Sequence, residues 1–129
     1  LITLYDAVKT VEFAFNEMIG SEIFVKKIPS VKITELAKSI GPNCEIEEVG
    51  MRPGEKLHEQ LISSDESSHT YEFDEYYKIL SPLNKWAFCP KRIKGGKKVD
   101  EGFVYTSDKN DLWLEKEALR HWLDQIEYK

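Results

Sequence analysis

The chain has 129 residues, of which 41% are hydrophobic, and its formal net charge is −5. This length and composition are sufficient for one globular domain with a core, while the acidic balance argues against a general nucleic-acid-binding protein. No apolar run is long enough to span a bilayer, and the N-terminus lacks the basic and apolar regions of a signal peptide. The two cysteines, Cys44 and Cys89, form neither a disulfide framework nor a zinc site, which predicts a reducing, cytoplasmic setting.

The first half of the chain predicts alternating helices and strands. Thr3 and Asp6 have the spacing of a helix cap, and the apolar residues that follow predict a helix ended by Gly20. A buried strand over 23–25, a helix over 33–40 stopped by Gly41-Pro42, and a strand over 46–49 come next. This alternation indicates an α/β or α+β domain, in which ligand sites often follow strand ends. Because the chain begins with Leu1 and amphipathic structure starts at once, we expect it to be part of a longer protein.

The second half is less regular. Residues 57–62 are consistent with either a helical turn or a strand, and 63–68 have the composition of a polar loop. Two strands over 70–73 and 76–80 are predicted, joined by a turn. Residues 82–102 form a long excursion with a basic segment at 91–98, and the tail predicts a helix. No repeat or interior linker is visible, so we expect one domain over 1–129. The apolar face of the tail helix consists of Leu114, Ala118, Leu119, Trp122, Leu123 and Ile126.

The run from Arg52 to Glu59 is the strongest candidate for a binding site. Arg52 offers a planar fork of donors that matches phosphates, and Pro53 and Gly54 force a turn. Glu55 then supplies an acceptor beside the cation, a pairing that suits a ligand with phosphates and sugar hydroxyls. A surface turn closed by an ion pair has the same signature, and the residues alone favour that interpretation.

Several features of an enzyme are missing from the chain. It contains no glycine-rich phosphate loop and no Tyr followed four residues later by Lys, and its three histidines lack metal-ligand spacing. His58 lies in the candidate motif but is interpreted as a partly buried structural residue. The basic segment at 91–98 could bind a phosphate or an acidic partner, although a solvated loop is the preferred interpretation.

Five segments together resemble the UDP-N-acetylglucosamine 4,6-dehydratases, a group within the extended short-chain dehydrogenase/reductase family. The first resembles the signature of that group, and the other four, in the family's order, favour its inverting branch. The segments are Met51-Arg52-Pro53-Gly54-Glu55-Lys56-Leu57-His58-Glu59, Ile2-Thr3-Leu4-Tyr5-Asp6-Ala7-Val8, Glu22-Ile23-Phe24-Val25-Lys26-Lys27-Ile28-Pro29-Ser30, Tyr76-Tyr77-Lys78-Ile79-Leu80-Ser81-Pro82, and Tyr105-Thr106-Ser107 through Asn110 to Trp113-Leu114.

This resemblance implies that the chain is the C-terminal substrate-binding lobe of a two-lobed enzyme. The N-terminal Rossmann lobe, which would hold NAD(P) and the catalytic residues, is absent here. In relatives the arginine contacts the nucleotide's phosphates and the acidic residue contacts the ribose, so these roles carry over to Arg52 and Glu55. No catalytic, cofactor-binding or metal-binding residue is assigned to this chain.

The inferred parent is a cytoplasmic lyase, expected to be a homo-oligomer without nucleic-acid or membrane partners. The resemblance implies that it converts UDP-N-acetylglucosamine to a 4-keto-6-deoxy sugar nucleotide, at the start of pseudaminic acid synthesis, for surface polysaccharide or flagellin glycans. Three alternatives stay open. They are a retaining nucleotide-sugar dehydratase or epimerase, a non-catalytic nucleotide-binding or oligomerisation module, and a nucleic-acid module that uses the basic segment. The acidity of the chain counts against the last of these.

Overall fold

The computed structural model describes residues 1–83 and 89–125, which contain four α-helices, a 3₁₀ helix and six strands. The mixed helix-and-sheet class predicted from the sequence is confirmed. The backbone divides into two compact units that interleave along the chain. The first unit comprises Leu1, Ile28–Glu59 and the chain from Ser107 onward, and the second comprises Ile2–Lys27 and Gln60–Thr106. The single domain over 1–129 stays a prediction.

The second unit contains both sheets. The strands are β1 (Ile23–Lys26), β2 (Gln60–Ile62), β3 (Thr70–Glu72), β4 (Tyr76–Ile79), β5 (Lys97–Lys98) and β6 (Tyr105–Thr106). Four of them form an antiparallel sheet in the order β1-β4-β3-β5, and β2 pairs with β6. Branched and aromatic residues dominate β1 and β4, and such side chains pack well on a pleated surface. The predicted strand pair of β3 and β4 is confirmed, and the ambiguity at 57–62 resolves as the strand β2.

The core of the second unit joins its two sheets. Tyr77 and Ile79 of β4 pack with Ile62 of β2 and Tyr105 of β6, and all four are buried. The ring centroids of Tyr77 and Tyr105 lie 5.1 Å apart. Contacts between aromatic rings at this distance add about 0.5–1.5 kcal/mol beyond the burial of their area.

Helix α1 (Leu4–Glu17) begins where the sequence predicts and ends earlier. The Thr3 hydroxyl oxygen accepts a hydrogen bond from the Asp6 amide at 3.0 Å, which confirms the cap. The helix stops at Glu17, three residues before Gly20. Helical periodicity identifies an apolar stripe on α1 without identifying what covers it. The stripe is 41–83% exposed and consists of Leu4, Val8, Val11, Phe15 and Met18.

The first unit contains α2 (Ile33–Ile40) and α4 (Lys116–Gln125). Helix α2 ends at Gly41, which donates its amide to the Ala37 carbonyl at 2.8 Å, as the sequence predicts. The predicted tail helix is confirmed as α4, although Leu114 precedes it and Ile126 lies outside the described residues. Leu119 of α4 is completely buried.

Two polar residues hold the strand-like segments of the first unit together. The Ser30 amide donates to the Leu112 carbonyl at 2.8 Å, and the Ser30 carbonyl accepts from the Leu114 amide at 2.9 Å. The Asn110 side chain donates to the Ile28 carbonyl at 2.7 Å and to the Ser30 hydroxyl at 3.1 Å. Buried Ser30 is thereby fixed on its backbone and its side chain.

Three further expectations about secondary structure are wrong. The strand over 46–49 does not form, because within the described ranges no neighbouring strand pairs with it. The polar loop at 63–68 is largely a 3₁₀ helix, Ser64–His69. The excursion over 82–102 contains helix α3 (Pro90–Ile93) and strand β5, while residues 84–88 of it lie outside the described part. The strand over 23–25 forms, but Ile23 is exposed.

Among the described residues, no helix is both long and apolar enough to cross a membrane.

Candidate functional site

The candidate motif forms a tight turn at its first four residues. The Glu55 amide donates to the Arg52 carbonyl at 3.1 Å, and Gly54 has a φ of 87°. With Pro53 at the second position, this is the pattern of a type II β-turn. No atom lies within 4 Å of a Cβ built on Gly54, so glycine is favoured there by its backbone angle and not by crowding.

The Glu55 side chain closes the turn. One carboxylate oxygen, Oε2, accepts a hydrogen bond from the Arg52 amide at 2.8 Å. The other oxygen, Oε1, lies 3.9 Å from Nε of Arg52, with the two side chains 50% and 80% exposed. Such an exposed ion pair contributes only about 0–1 kcal/mol to stability. The surface turn with an ion pair is therefore what this chain adopts by itself.

The guanidinium of Arg52 is available to a ligand. Among the residues that the structure describes, it donates no hydrogen bond and has no ion pair other than the long contact with Glu55. An open groove of about 650 Å³ lies beside the turn, lined by Met51, Gly54, Glu55, Lys56, Leu57 and Glu59. A planar, exposed cation can hold two oxygens of a phosphate at once.

The rest of the motif is also exposed. His58 is exposed, so its interpretation as a partly buried structural residue is wrong. Residues 42–59 form no helix or strand, which removes the argument that Arg52 follows a strand end. The end of this segment is held at Glu59, whose amide donates to the Ser107 hydroxyl at 3.0 Å and whose carbonyl accepts from the Ser107 amide at 2.8 Å. Sequence reasoning assigned no role to Ser107, since nothing local links two residues so far apart.

The basic segment at 91–98 is not a continuous solvated loop. Arg92 is buried, and its Nη1 donates to Oε1 of Glu22 at 2.5 Å and to the Gly20 carbonyl at 2.6 Å. Lys97 and Lys98 belong to β5 and pair with β3. Arg92, which the preferred interpretation placed in a solvated loop, instead stabilises the second unit.

Lys78 is a second buried cation in that unit. Its ammonium donates to the Arg92 carbonyl at 3.2 Å and lies 4.9 Å from the ring centroid of Phe24. Burial lowers the pKa of Lys78 below its ordinary value of 10.5, while the negative charges of Glu22 and Glu17 oppose that shift. These contacts give Lys78 a structural role beside Arg92.

Comparison with known proteins gives the family. The chain belongs to the polysaccharide biosynthesis protein family, whose model matches residues 1–81. It is 46% identical over 132 residues to the UDP-N-acetylglucosamine 4,6-dehydratase (inverting) of Campylobacter jejuni serotype O:2, and the match covers 98% of this chain and 39% of that protein. The corresponding enzyme of serotype O:23/36 is 49% identical over 125 residues, with 92% and 37% covered. These identities confirm the resemblance noted in the sequence.

A solved structure supports the same relationship. The X-ray structure of Pen from Bacillus thuringiensis matches with a TM-score of 0.78 and 32% identity, over 96% of this chain and 37% of that chain. The present chain thus spans 37–39% of the length of these relatives.

The described residues do not fit a nicotinamide cofactor. A dinucleotide site is usually a strand, a glycine-rich turn and a helix within a parallel sheet. Here the strands of both sheets are antiparallel, and the connection from β1 to α2 contains no glycine. The described glycines with positive φ lie in separate segments of the chain, at Gly20, Gly50, Gly54, Gly95 and Gly102.

Proposed function

We propose that this chain is the nucleotide-sugar-binding part of a UDP-N-acetylglucosamine 4,6-dehydratase of the inverting type. The observation that carries the proposal is the 46–49% identity to two such enzymes across 92–98% of the chain. The product would be a UDP-4-keto-6-deoxy-hexosamine. The cofactor, NAD(P), and the groups that transfer protons would belong to the part of the relatives that this chain does not match.

In this proposal the Arg52 guanidinium binds the diphosphate. The side chain of Arg52 is exposed, and its backbone is held by the turn. The guanidinium is a planar fork of donors that matches two phosphate oxygens. The carboxylate of Glu55 accepts from the Arg52 amide through Oε2, which leaves Oε1 for a ribose hydroxyl. Phosphate and ribose are adjacent in a nucleotide, and the two side chains are adjacent across one turn.

Both contacts lie on the nucleotide and not on the reacting sugar carbons. Binding energy from such remote groups orients the substrate and contributes to the barrier reduction at the reacting centre. The contribution of this chain would therefore be substrate affinity and position. A place in pseudaminic acid synthesis, use of NAD(P), homo-oligomerisation and a cytoplasmic location stay predictions that go with this proposal.

The proposal is tested by titrating the chain with UDP and following the backbone amides of Arg52 and Glu55 by NMR. AMP is the matched control, since it also carries phosphate and ribose but has a different base. Saturable, UDP-selective shifts at both amides are expected. Equal shifts with AMP would indicate a general phosphate turn, and a folded chain without shifts at either amide would contradict the assignment of Arg52 and Glu55.

A further inference from the structure

Four aromatic side chains of the second unit surround a cavity of about 430 Å³ that contains neither Arg52 nor Glu55. Phe13 of α1 lies 5.0 Å from Tyr76, and Phe24 of β1 lies 5.7 Å from Tyr76, measured between ring centroids. Phe73 completes the group. The volume falls within the range of about 300–1,000 Å³ that is usual for small-molecule sites lined by aromatic residues.

The walls of this aromatic cavity are held in place by contacts within the unit. Phe73 stacks on Tyr76 with centroids 4.6 Å apart and an angle of 9° between the rings. The Lys78 ammonium lies 4.9 Å and 5.2 Å from the centroids of Phe24 and Phe73. A Cβ added to Gly96 would approach Phe73 to 2.6 Å, so the backbone also packs closely against that ring. Preformed walls reduce the entropy that a ligand loses on binding.

The polar groups of the cavity are mixed in sign. The cavity is lined by two lysines, Lys9 and Lys26, and by an equal number of carboxylates, Asp74 and Glu75. Lys9 pairs with Glu12 at 2.8 Å, whereas neither the Lys26 ammonium nor the Tyr76 hydroxyl has a hydrogen-bond or ion-pair partner within the described ranges. Because the charges offset one another, the cavity favours a neutral ligand that carries both donors and acceptors.

We propose that the aromatic cavity binds the base of a nucleoside. A base is a flat, uncharged ring with donors and acceptors on its edge, and it matches aromatic walls with polar groups of both signs. Stacking of a base on an aromatic side chain is tolerant of the identity of the base. This site goes beyond the proposed function and is independent of it, since its residues all belong to the second unit.

The test is a titration of the 129-residue chain with adenosine, followed by aromatic side-chain NMR. Adenosine carries no phosphate, so binding at the Arg52 turn has no anion to use. Saturable shifts of Phe13, Phe73 and Tyr76 are expected. Phe13→Ala should weaken adenosine binding about tenfold through lost stacking. Its matched control is Phe15→Ala, which removes an aromatic ring from the same helix but outside the cavity and should leave the dissociation constant unchanged.

A second variant keeps the test valid if Phe13→Ala fails to fold. Tyr76→Phe retains the ring and its packing, removes only the hydroxyl, and should weaken binding about three- to tenfold through one lost hydrogen bond. Three outcomes would overturn the proposal. They are the absence of saturable shifts at about 1 mM adenosine, equally tight binding of benzyl alcohol, and shifts confined to the Arg52 and Glu55 amides.

Discussion

Arg52 combines a backbone fixed by a turn with a guanidinium that has no hydrogen bond among the described residues. Replacing Arg52 by Ala should therefore weaken UDP-sugar binding by about 1.5–3 kcal/mol, the usual contribution of a hydrogen bond to a charged group. Calorimetric titration of both forms with UDP-N-acetylglucosamine gives the difference. Lys56→Ala, which removes a neighbouring cation that lines the groove beside the turn, is the control and should change the affinity less. Equal losses for the two variants would indicate general charge attraction and not a specific contact.

Arg92, unlike the exposed Arg52, is buried and forms a close ion pair within the protein. Its side chain is 4% exposed against a fully buried Glu22, whose carboxylate also accepts from the Gly20 amide at 2.7 Å. Arg92→Leu would leave that carboxylate buried beside backbone donors alone, and we expect a loss of about 3–5 kcal/mol in the free energy of unfolding. Urea denaturation measures it, with exposed Lys91→Leu as a control that should stay within about 0.5 kcal/mol. A loss for Arg92→Leu no larger than the control's would show that the pair is not important for stability.

At the scale of the single element, the stability of the first turn of the 3₁₀ helix at Ser64–His69 is expected to depend on pH. The Glu66 carboxylate accepts from the amide and the hydroxyl of Ser63 at 2.8 Å and 2.7 Å, and these hydrogen bonds lower its pKa below 4.5. A carboxyl whose pKa is lowered in the folded state adds stability above its unfolded pKa, and this stability is lost as the pH falls through the folded pKa. Glu66→Gln should thus cost about 0.5–1 kcal/mol at pH 7, discounted for the partial exposure of Glu66.

The same variant should have almost no effect in acid. Once Glu66 is protonated in both states, the carboxyl and the amide differ little in their hydrogen bonding to Ser63, so the two unfolding curves should converge well below pH 4.5. Urea midpoints measured at neutral and at acid pH give the comparison. A difference that persists unchanged in acid would assign the effect to side-chain packing and not to charge.

Elements with local signals were predictable from the sequence, and those that depend on distant partners were not. The cap of α1 and the glycine that ends α2 lie within a few residues of the helices they delimit. The strand expected at 46–49 had the right composition but needed a pairing partner that no local pattern supplies. The 3₁₀ helix was missed although Ser63 and Glu66 have the spacing of a capping box.

In the candidate site, too, the local features were predictable from the sequence and the long-range contacts were not. Pro53 and Gly54 specify the turn by themselves, so its geometry follows from four consecutive residues. The anchoring of Glu59 by Ser107 joins residues 48 positions apart, and the burial of Arg92 depends on Glu22, 70 positions away. Such contacts arise from the three-dimensional packing of the chain, which is why the basic segment at 91–98 was misinterpreted from sequence alone.

At the scale of the whole molecule, the proposed function assigns nucleotide-sugar recognition to this chain and assigns redox chemistry to the part of the relatives that the chain does not match. The chain matches 37–39% of the length of its relatives, and its described turns and antiparallel sheets provide no dinucleotide site. The net charge of −5 also disfavours a ligand with two or more phosphates unless specific cations such as Arg52 hold it. Affinity for UDP and affinity for NADH are therefore expected to be independent properties in this protein.

This expectation can be tested on a single sample. With saturating adenosine present to occupy the aromatic cavity, the chain should leave the fluorescence of NADH and NADPH unchanged, because no backbone cradle of amides and glycines is present among the described residues to hold the pyrophosphate. UDP added to the same sample and followed by NMR is the positive control, since shifts of the Arg52 and Glu55 amides would report that the turn is intact. A saturable change in NADH fluorescence that UDP does not reverse would mean that the chain has a dinucleotide site of its own. A change that UDP reverses would mean instead that the Arg52 turn accepts any nucleotide diphosphate, because both ligands would then compete for one guanidinium.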